Sequence, residues 1–280
     1  MIRQLLVPIL ATLALGISPT MGAAGPKGTL VIVGGGEEPP TVIRAFLEAS
    51  GGRGGTVGVV TTSTVDPDGN LKEWKEILDG AGLSLVPLNV RRREDSSAPA
   101  VLEAAKNCTG FWFTGGVQAR VGDQVVGTPL HALIRARYEA GACIGGTSAG
   151  AAIMSKVMLT GENRHGKYEC SELAPGAYQA REGMGFLPDR VIVDQHFIRR
   201  GRENRLLSVI MEHPDHLGLG IDESTALVVK DGKATVLGES AVMVFDPAGM
   251  TLNGASFRDL RIHLLRAGQS IDLTTRKVSQ

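Results

Sequence analysis

Hydrophobic and polar positions along this chain follow two alternating rhythms. Continuous apolar runs of strand length, rich in β-branched residues, occur at 29–33, 57–61, 83–88, 110–114 and 142–144. Between them the pattern predicts helices: one opened by Pro39-Pro40 and running to about Ser50, then others at 98–106 and 129–140. Residues 71–79, after Pro67-Asp68-Gly69, carry apolar positions at a spacing near 3.6 and add a further helix. Strands and helices alternating at these lengths predict an α/β fold, a predominantly parallel sheet sandwiched by helices.

Beyond residue 148 the rhythm changes. A helix is expected over 149–156, and 160–188 is polar, glycine-rich and without clear periodicity, which reads as a long ordered loop over a site. Strands at 191–193 and 217–221 flank a helix at 201–211. The runs 226–230 and 234–237 meet at Asp231-Gly232, a hairpin signal, and strands at 241–245 and 260–265 follow. The carboxyl-terminal part is therefore expected to be an antiparallel extension. The segment 91–97 reads as a solvated loop.

The first 24 residues stand apart. Arg3 supplies a positive start, 5–17 an apolar stretch too short to span a bilayer, and Gly22-Ala23-Ala24 small residues for cleavage. A signal peptide at 1–24 and one domain over 25–280 are expected, with a secreted or periplasmic destination and no membrane contact after cleavage. A formal charge of +0 excludes a broad field for nucleic acid or anionic membranes. Three cysteines without C-x-x-C spacing and six histidines without H-x-x-x-H give no reason to expect a metal. Nor is a cofactor expected. Gly34-Gly35-Gly36 is followed by Glu37, Glu38 and Pro39 rather than a dinucleotide frame, and carboxylates there would repel a pyrophosphate. A turn shaping the edge of a site is the better reading.

Candidate chemistry centres on Gly145-Gly146-Thr147-Ser148-Ala149-Gly150, directly after a strand. A sharp strand-to-helix turn there would expose the Ser148 hydroxyl and aim the Ala149 N–H into the same space, a nucleophile elbow with one oxyanion donor. Such a serine needs a base and a group that orients the base. His196 follows the 191–193 strand in Asp194-Gln195-His196-Phe197, at what should be the same sheet edge as Ser148. Strand 217–221 ends in Asp222-Glu223, and neighbouring strand residues face opposite sides, so one of the two can reach His196; spacing does not choose. Thr114-Gly115-Gly116 ends another strand and offers the second oxyanion donor, Gly116 first and Gly115 second. Arg199, Arg200, Arg202 and Arg205 crowd the stretch after His196 and suit a substrate rich in carboxylates.

Taken together, Val-Gly-Gly-Gly-Glu at 33–37, Phe-Thr-Gly-Gly-x-Gln at 113–118, Gly-Thr-Ser-Ala-Gly-Ala at 146–151, Asp-Gln-His-Phe at 194–197, Arg-Gly-Arg-x-x-Arg at 200–205 and Gly-Ile-Asp-Glu at 220–223 resemble the cyanophycinases. These are serine exopeptidases related to aspartyl dipeptidase and, more distantly, to class I glutamine amidotransferases. The resemblance implies the amidotransferase-like fold, with Ser148 as nucleophile, His196 as base and Glu223 as orienting acid. It further marks Gln118, Asp194, Gln195, Arg200, Arg202 and Arg205 as substrate-pocket residues, and it implies a homodimer. The implied substrate is cyanophycin, a polyaspartate carrying arginine on each β-carboxyl, cut into β-Asp-Arg dipeptides. Asp194 is the one acid expected to meet the substrate guanidinium groups. A secreted aspartyl dipeptidase and a non-catalytic granule-binding protein are the alternatives.

Overall fold

The computed structural model describes residues 25–280; the expected signal peptide lies outside them. The parallel sheet is built from β1 (Thr29–Val33), β2 (Thr56–Val60), β3 (Ser84–Leu88), β4 (Gly110–Phe113) and β5 (Cys143–Thr147), side by side in the order β1-β5-β4-β2-β3. β1 and β2 bury every residue after their first, as strands covered on both faces do. One face is covered by α1 (Pro40–Ala49) and α2 (Pro67–Ala81), whose Val42, Phe46, Trp74 and Leu78 pack on Val31, Val59 and Trp112. Phe46 and Trp74 stand 4.8 and 4.3 Å from Trp112 between ring centroids, locking α1 and α2 onto β4. The other face carries α3 (Pro99–Lys106) and α5 (Pro129–Ala140). Between these two helices in sequence lies α4 (Gln118–Gln124), a short helix beyond β4 that the sequence pattern does not signal.

The elbow helix α6 (Ala149–Ala152) is much shorter than the expected 149–156. Its continuation is blocked because the carbonyls of Ile153 and Met154 accept from the N–H groups of Met184 and Leu187. Those donors belong to the segment expected as a loop, of which 164–177 and 183–188 have no regular structure, while its remaining residues join an antiparallel ribbon of β6 (Val157–Asn163) and β7 (Tyr178–Glu182). The pairing register shifts between Leu159 and Asn163, which erases the two-residue alternation that would have revealed it. The expected loop at 91–97 is a 3-10 helix over Arg93–Ser97, held because the buried Ser96 hydroxyl donates to the Gln124 carbonyl at 2.7 Å.

The strands β8 (Val191–Gln195) and β9 (Leu217–Ile221) are parallel neighbours, with α7 (Glu203–Glu212) between them in sequence. They do not join the main sheet. β10 (Thr225–Lys230) pairs antiparallel with β1, and its hairpin partner β11 (Lys233–Gly238) turns at Asp231-Gly232 as expected. Next come β12 (Val242–Asp246), the small ribbon β13 (Thr251–Asn253) with β14 (Ser256–Arg258), then β15 (Arg261–Leu265), β16 (Ser270–Asp272) and β17 (Val278–Ser279). The main sheet thus runs β17-β16-β11-β10-β1-β5-β4-β2-β3, with its antiparallel extension on one side, and a second sheet runs β15-β12-β9-β8. Val193, Leu219, Ile221 and Val244 of the second sheet share a core with Leu30, Ile32 and Leu227 of the first. The outer face of the second sheet is capped by Leu206, Val209 and Ile210 of α7. Among the described residues no helix is long and apolar enough to cross a membrane.

Candidate active site

Ser148 alone makes the turn from β5 into α6, with φ 52° and ψ −106°, a backbone conformation costly for any residue with a side chain. The surrounding hydrogen bonds hold it there. Its N–H donates to the Val33 carbonyl at 3.0 Å, and its own carbonyl accepts from Ala151 and Ala152, both at 3.0 Å. Close packing of the turn depends on Gly150, where an added methyl group would overlap the Phe113 carbonyl. The hydroxyl is thereby presented at the carboxyl edge of the parallel strands.

His196 arrives at the same edge from the second sheet. The two sheets meet at the glycine turn after β1: the Gly34 carbonyl accepts from the His196 N–H at 2.7 Å, and the Gly35 carbonyl from the Ser224 N–H at 2.8 Å. Gly35 has φ +102° and packs so closely on the imidazole that no space is left for a Cβ. His196 Nε2 is 2.9 Å from the Ser148 Oγ, and Nδ1 is 2.5 Å from Glu223 Oε1. With Nδ1–H donating to the carboxylate, Nε2 is left to accept the serine proton. Burial lowers the His196 pKa below its ordinary value; the Glu223 hydrogen bond opposes this, while Arg200 and Arg202 reinforce it. The imidazole is therefore neutral at neutral pH, the form a base requires.

Geometry also separates the two candidate acids. Asp222 is buried and fastens the turn, its Oδ1 accepting from the Arg199 N–H at 2.8 Å and its Oδ2 from the Ser240 hydroxyl at 2.6 Å. Glu223 is the one that faces His196. Of the six non-glycine residues with positive φ among those described, Ser148, His196 and Ser224 all belong to this small region. Backbone strain concentrated in this way accompanies sites whose side chains must be aimed.

The first N–H groups of a helix have no intrahelical partner, which leaves the Ala149 donor free to face the Ser148 hydroxyl's surroundings. On the far side stands the Gly115-Gly116 turn after β4. A Cβ on Gly115 would be 3.6 Å from the Ser148 Cβ, and Gly116, at φ +132°, packs on the Ser63 carbonyl. Ser63 fixes this turn by donating to the Thr114 and Gly115 carbonyls at 2.7 and 3.0 Å.

The remaining expected pocket residues divide into two groups. Gln118 is buried and donates from Nε2 to the Leu159 and Thr160 carbonyls at 3.0 and 2.7 Å, tying α4 to β6. Asp194 and Arg205 form a bidentate pair with side chains only 1% and 2% exposed, including an Nε–Oδ2 contact of 2.8 Å. Asp194 also accepts the Gln195 N–H at 2.8 Å, so both of its oxygens are engaged internally and it offers no free carboxylate to a substrate guanidinium. By contrast, Arg200 is half exposed with Nε 3.6 Å from Glu223, and Arg202 reaches the Gln195 carbonyl and Oε1 at 2.8 and 2.9 Å. Arg202 is pushed down to about 10 by burial and by the neighbouring Arg205 and Arg200, against a pull from Asp194; it stays charged and is crowded by like charge. A carboxylate not singled out from the sequence also lies at the rim. Glu38, just past the glycine turn, lies near Thr147, the residue before Ser148. Its position directly after a strand-end glycine run was the available signal. Among the described residues no group of three or more His, Cys, Asp and Glu side chains could hold a metal ion.

The sequence profile of peptidase family S51 matches residues 30–237. The cyanophycinase of Synechococcus elongatus is 34% identical over 272 residues, covering 91% of this chain and 82% of its own. That of Geminocystis herdmanii is 32% identical over 264 residues, covering 89% and 95% respectively. In fold, the chain is similar to a peptidase from an acI-B1 Actinobacterium, with a TM-score of 0.65 at 24% identity over 89% of this chain and 98% of that one. A putative peptidase E protein from Listeria monocytogenes gives a TM-score of 0.52 at 15% identity over 76% and 99%. The chain belongs to peptidase family S51 and is a serine-type peptidase.

Proposed function

We propose that this protein is an exported exopeptidase that hydrolyses cyanophycin to β-Asp-Arg dipeptides through Ser148, His196 and Glu223. The observation that carries the reading is the unbroken chain from Ser148 Oγ through the His196 imidazole to Glu223, at 2.9 and 2.5 Å. Curated relatives that share about a third of its residues, over nearly the whole chain, bear the name cyanophycinase.

In this reading Ser148 Oγ attacks the peptide carbonyl while His196 Nε2 takes its proton, and Glu223 stabilises the imidazolium that forms. The Ala149 and Gly116 N–H groups receive the oxyanion, a donor pair in which each member lowers the barrier by about 3 kcal/mol. His196 then protonates the leaving amine, the amine departs, and water activated by the same imidazole hydrolyses the acyl-serine. Arg200 and Arg202 receive the free α-carboxylates of the arginyl groups, which relieves the like-charge crowding at Arg202. Gln118, Gln195, Asp194 and Arg205 act one layer behind, by holding β6, Arg202 and the residue before His196 in place. Residues 1–24 serve as the export signal, 25–280 as one peptidase domain, and the working form is a homodimer.

Incubating the purified protein with cyanophycin and weighing the soluble products tests this. Dipeptide alone is expected, and Ser148→Ala should abolish its release while the thermal melt is retained. Ladders of longer fragments would overturn exo-cleavage, and preferential hydrolysis of Asp-Leu would favour an aspartyl dipeptidase. Full activity in Ser148→Ala would remove the nucleophile.

A further inference from the structure

A substrate built from arginyl-aspartate units carries a guanidinium on every unit, and the acid expected to receive it, Asp194, is consumed by Arg205. The other carboxylates named at the rim of the site are also engaged. Glu223 is held by His196, and Asp222 by Arg199 and Ser240. Glu38 differs. Its neighbours are the Thr147 hydroxyl and the Glu73 carboxylate of α2, and no ion pair among the described residues includes it.

Its placement follows from the sheet. β1 and β5 run parallel with Val33 opposite Thr147, and the Ser148 N–H donates to the Val33 carbonyl at 3.0 Å. The chain leaving β1 makes its glycine turn there, passing Gly36 within 3.4 Å of a Glu223 oxygen, measured from an added Cβ. Two residues later it brings Glu38 to Thr147, the residue that precedes the nucleophile. Thr147 and Ser148 in turn flank Gly115, at 3.8 and 3.6 Å from an added Cβ. The turn that carries Glu38 also touches Glu223, and Arg200 lies 3.6 Å from that same carboxylate, so acid and cation both border the Ser148 edge.

We infer that Glu38 is a specificity-determining residue that binds a substrate guanidinium beside the scissile bond, while Arg200 and Arg202 bind substrate carboxylate. This deepens the cyanophycin reading and rests on it. Partial burial and the facing Glu73 raise the Glu38 pKa, the expected state of a carboxylate whose counter-ion arrives with the ligand. A charge-assisted contact of this type changes kcat/KM roughly 10-fold to 100-fold.

The test compares two synthetic oligomers, one of β-Asp-Arg units and one with neutral citrulline in place of arginine. The wild type is expected to prefer the arginine oligomer by about 10-fold to 100-fold in kcat/KM. Glu38→Gln should erase that preference by slowing the arginine substrate alone, while Glu37→Gln, changed at an exposed neighbour, should keep it. An equal loss on both substrates would show that Glu38 merely props Thr147 and would overturn the inference. So would an unchanged preference, with the cyanophycin reading left intact. A wild type that cleaves neither oligomer would overturn both together.

Discussion

The buried pair of Asp194 and Arg205 gives a sharp test of how this site is supported. Asp194→Asn keeps the shape and one acceptor for the Gln195 N–H but leaves the Arg205 guanidinium, 2% exposed, without a counter-charge. Removing one partner of such a pair costs about 3–5 kcal/mol. For a domain of this size that lowers Tm by roughly 10 °C. Lys75 and Asp79, 64% and 56% exposed on α2, form the control: Asp79→Asn should cost about 0.5 kcal/mol or less. Urea melts of Asp194→Asn, Arg205→Met and the double variant complete the cycle. The double variant should cost less than the sum of the singles by about 2 kcal/mol or more, because no orphan charge remains. A single-variant loss under about 1 kcal/mol, or strictly additive costs, would refute the assignment of these residues as a desolvated, mutually dependent pair.

Further outcomes follow from the same geometry. Burial holds His196 below the ordinary imidazole value of about 6.5, so the acid limb of kcat/KM should have its midpoint below that pH. Glu223→Gln removes a group that raises this pKa, so the limb should move to still lower pH while the rate falls by on the order of 10⁴-fold; a limb moving upward contradicts the proposed pairing. Gly35→Ala should abolish turnover yet retain the far-UV spectrum, because the added methyl displaces the imidazole rather than any core side chain. Ser155→Ala strips the buried Val193 N–H of its 2.8 Å acceptor and should cost about 1–3 kcal/mol in a denaturant melt. Burial pushes the Cys108 and Cys143 thiols up to about 11 and 12, so alkylation of the native protein at neutral pH should label Cys170 first.

What could be read from the sequence depended on how local each signal was. The β1 to β5 alternation, the Asp231-Gly232 hairpin and the Ser148 elbow are each set by a few adjacent residues, and the structure has them. Sheet membership is different. The run 191–193 has the composition of any buried strand, and nothing in it says that it joins a second sheet rather than the first. His196 nonetheless meets Ser148, because the Gly34-Gly35 carbonyls bridge the two sheets. The 157–182 ribbon is hidden by its register shift, and α6 is shorter than its sequence suggests because Met184 and Leu187, whose N–H groups end it, lie some thirty residues away. The choice between Asp222 and Glu223 needed Ser240 and Arg199, which spacing along one strand cannot supply. Asp194 looked available as a ligand because its partner, Arg205, lies a helix turn beyond the intervening loop.

Because Ser148 and His196 belong to different sheets, which meet at the Gly34-Gly35 turn and across a shared core, the contact between them is a property of the docking of the sheets and not of either alone. A partly folded chain, with its large sheet formed and its small sheet still loose, would carry a serine with no imidazole within reach. With the proposed roles of these two residues, mild denaturation that loosens the small sheet should silence the peptidase before its bulk secondary structure is lost.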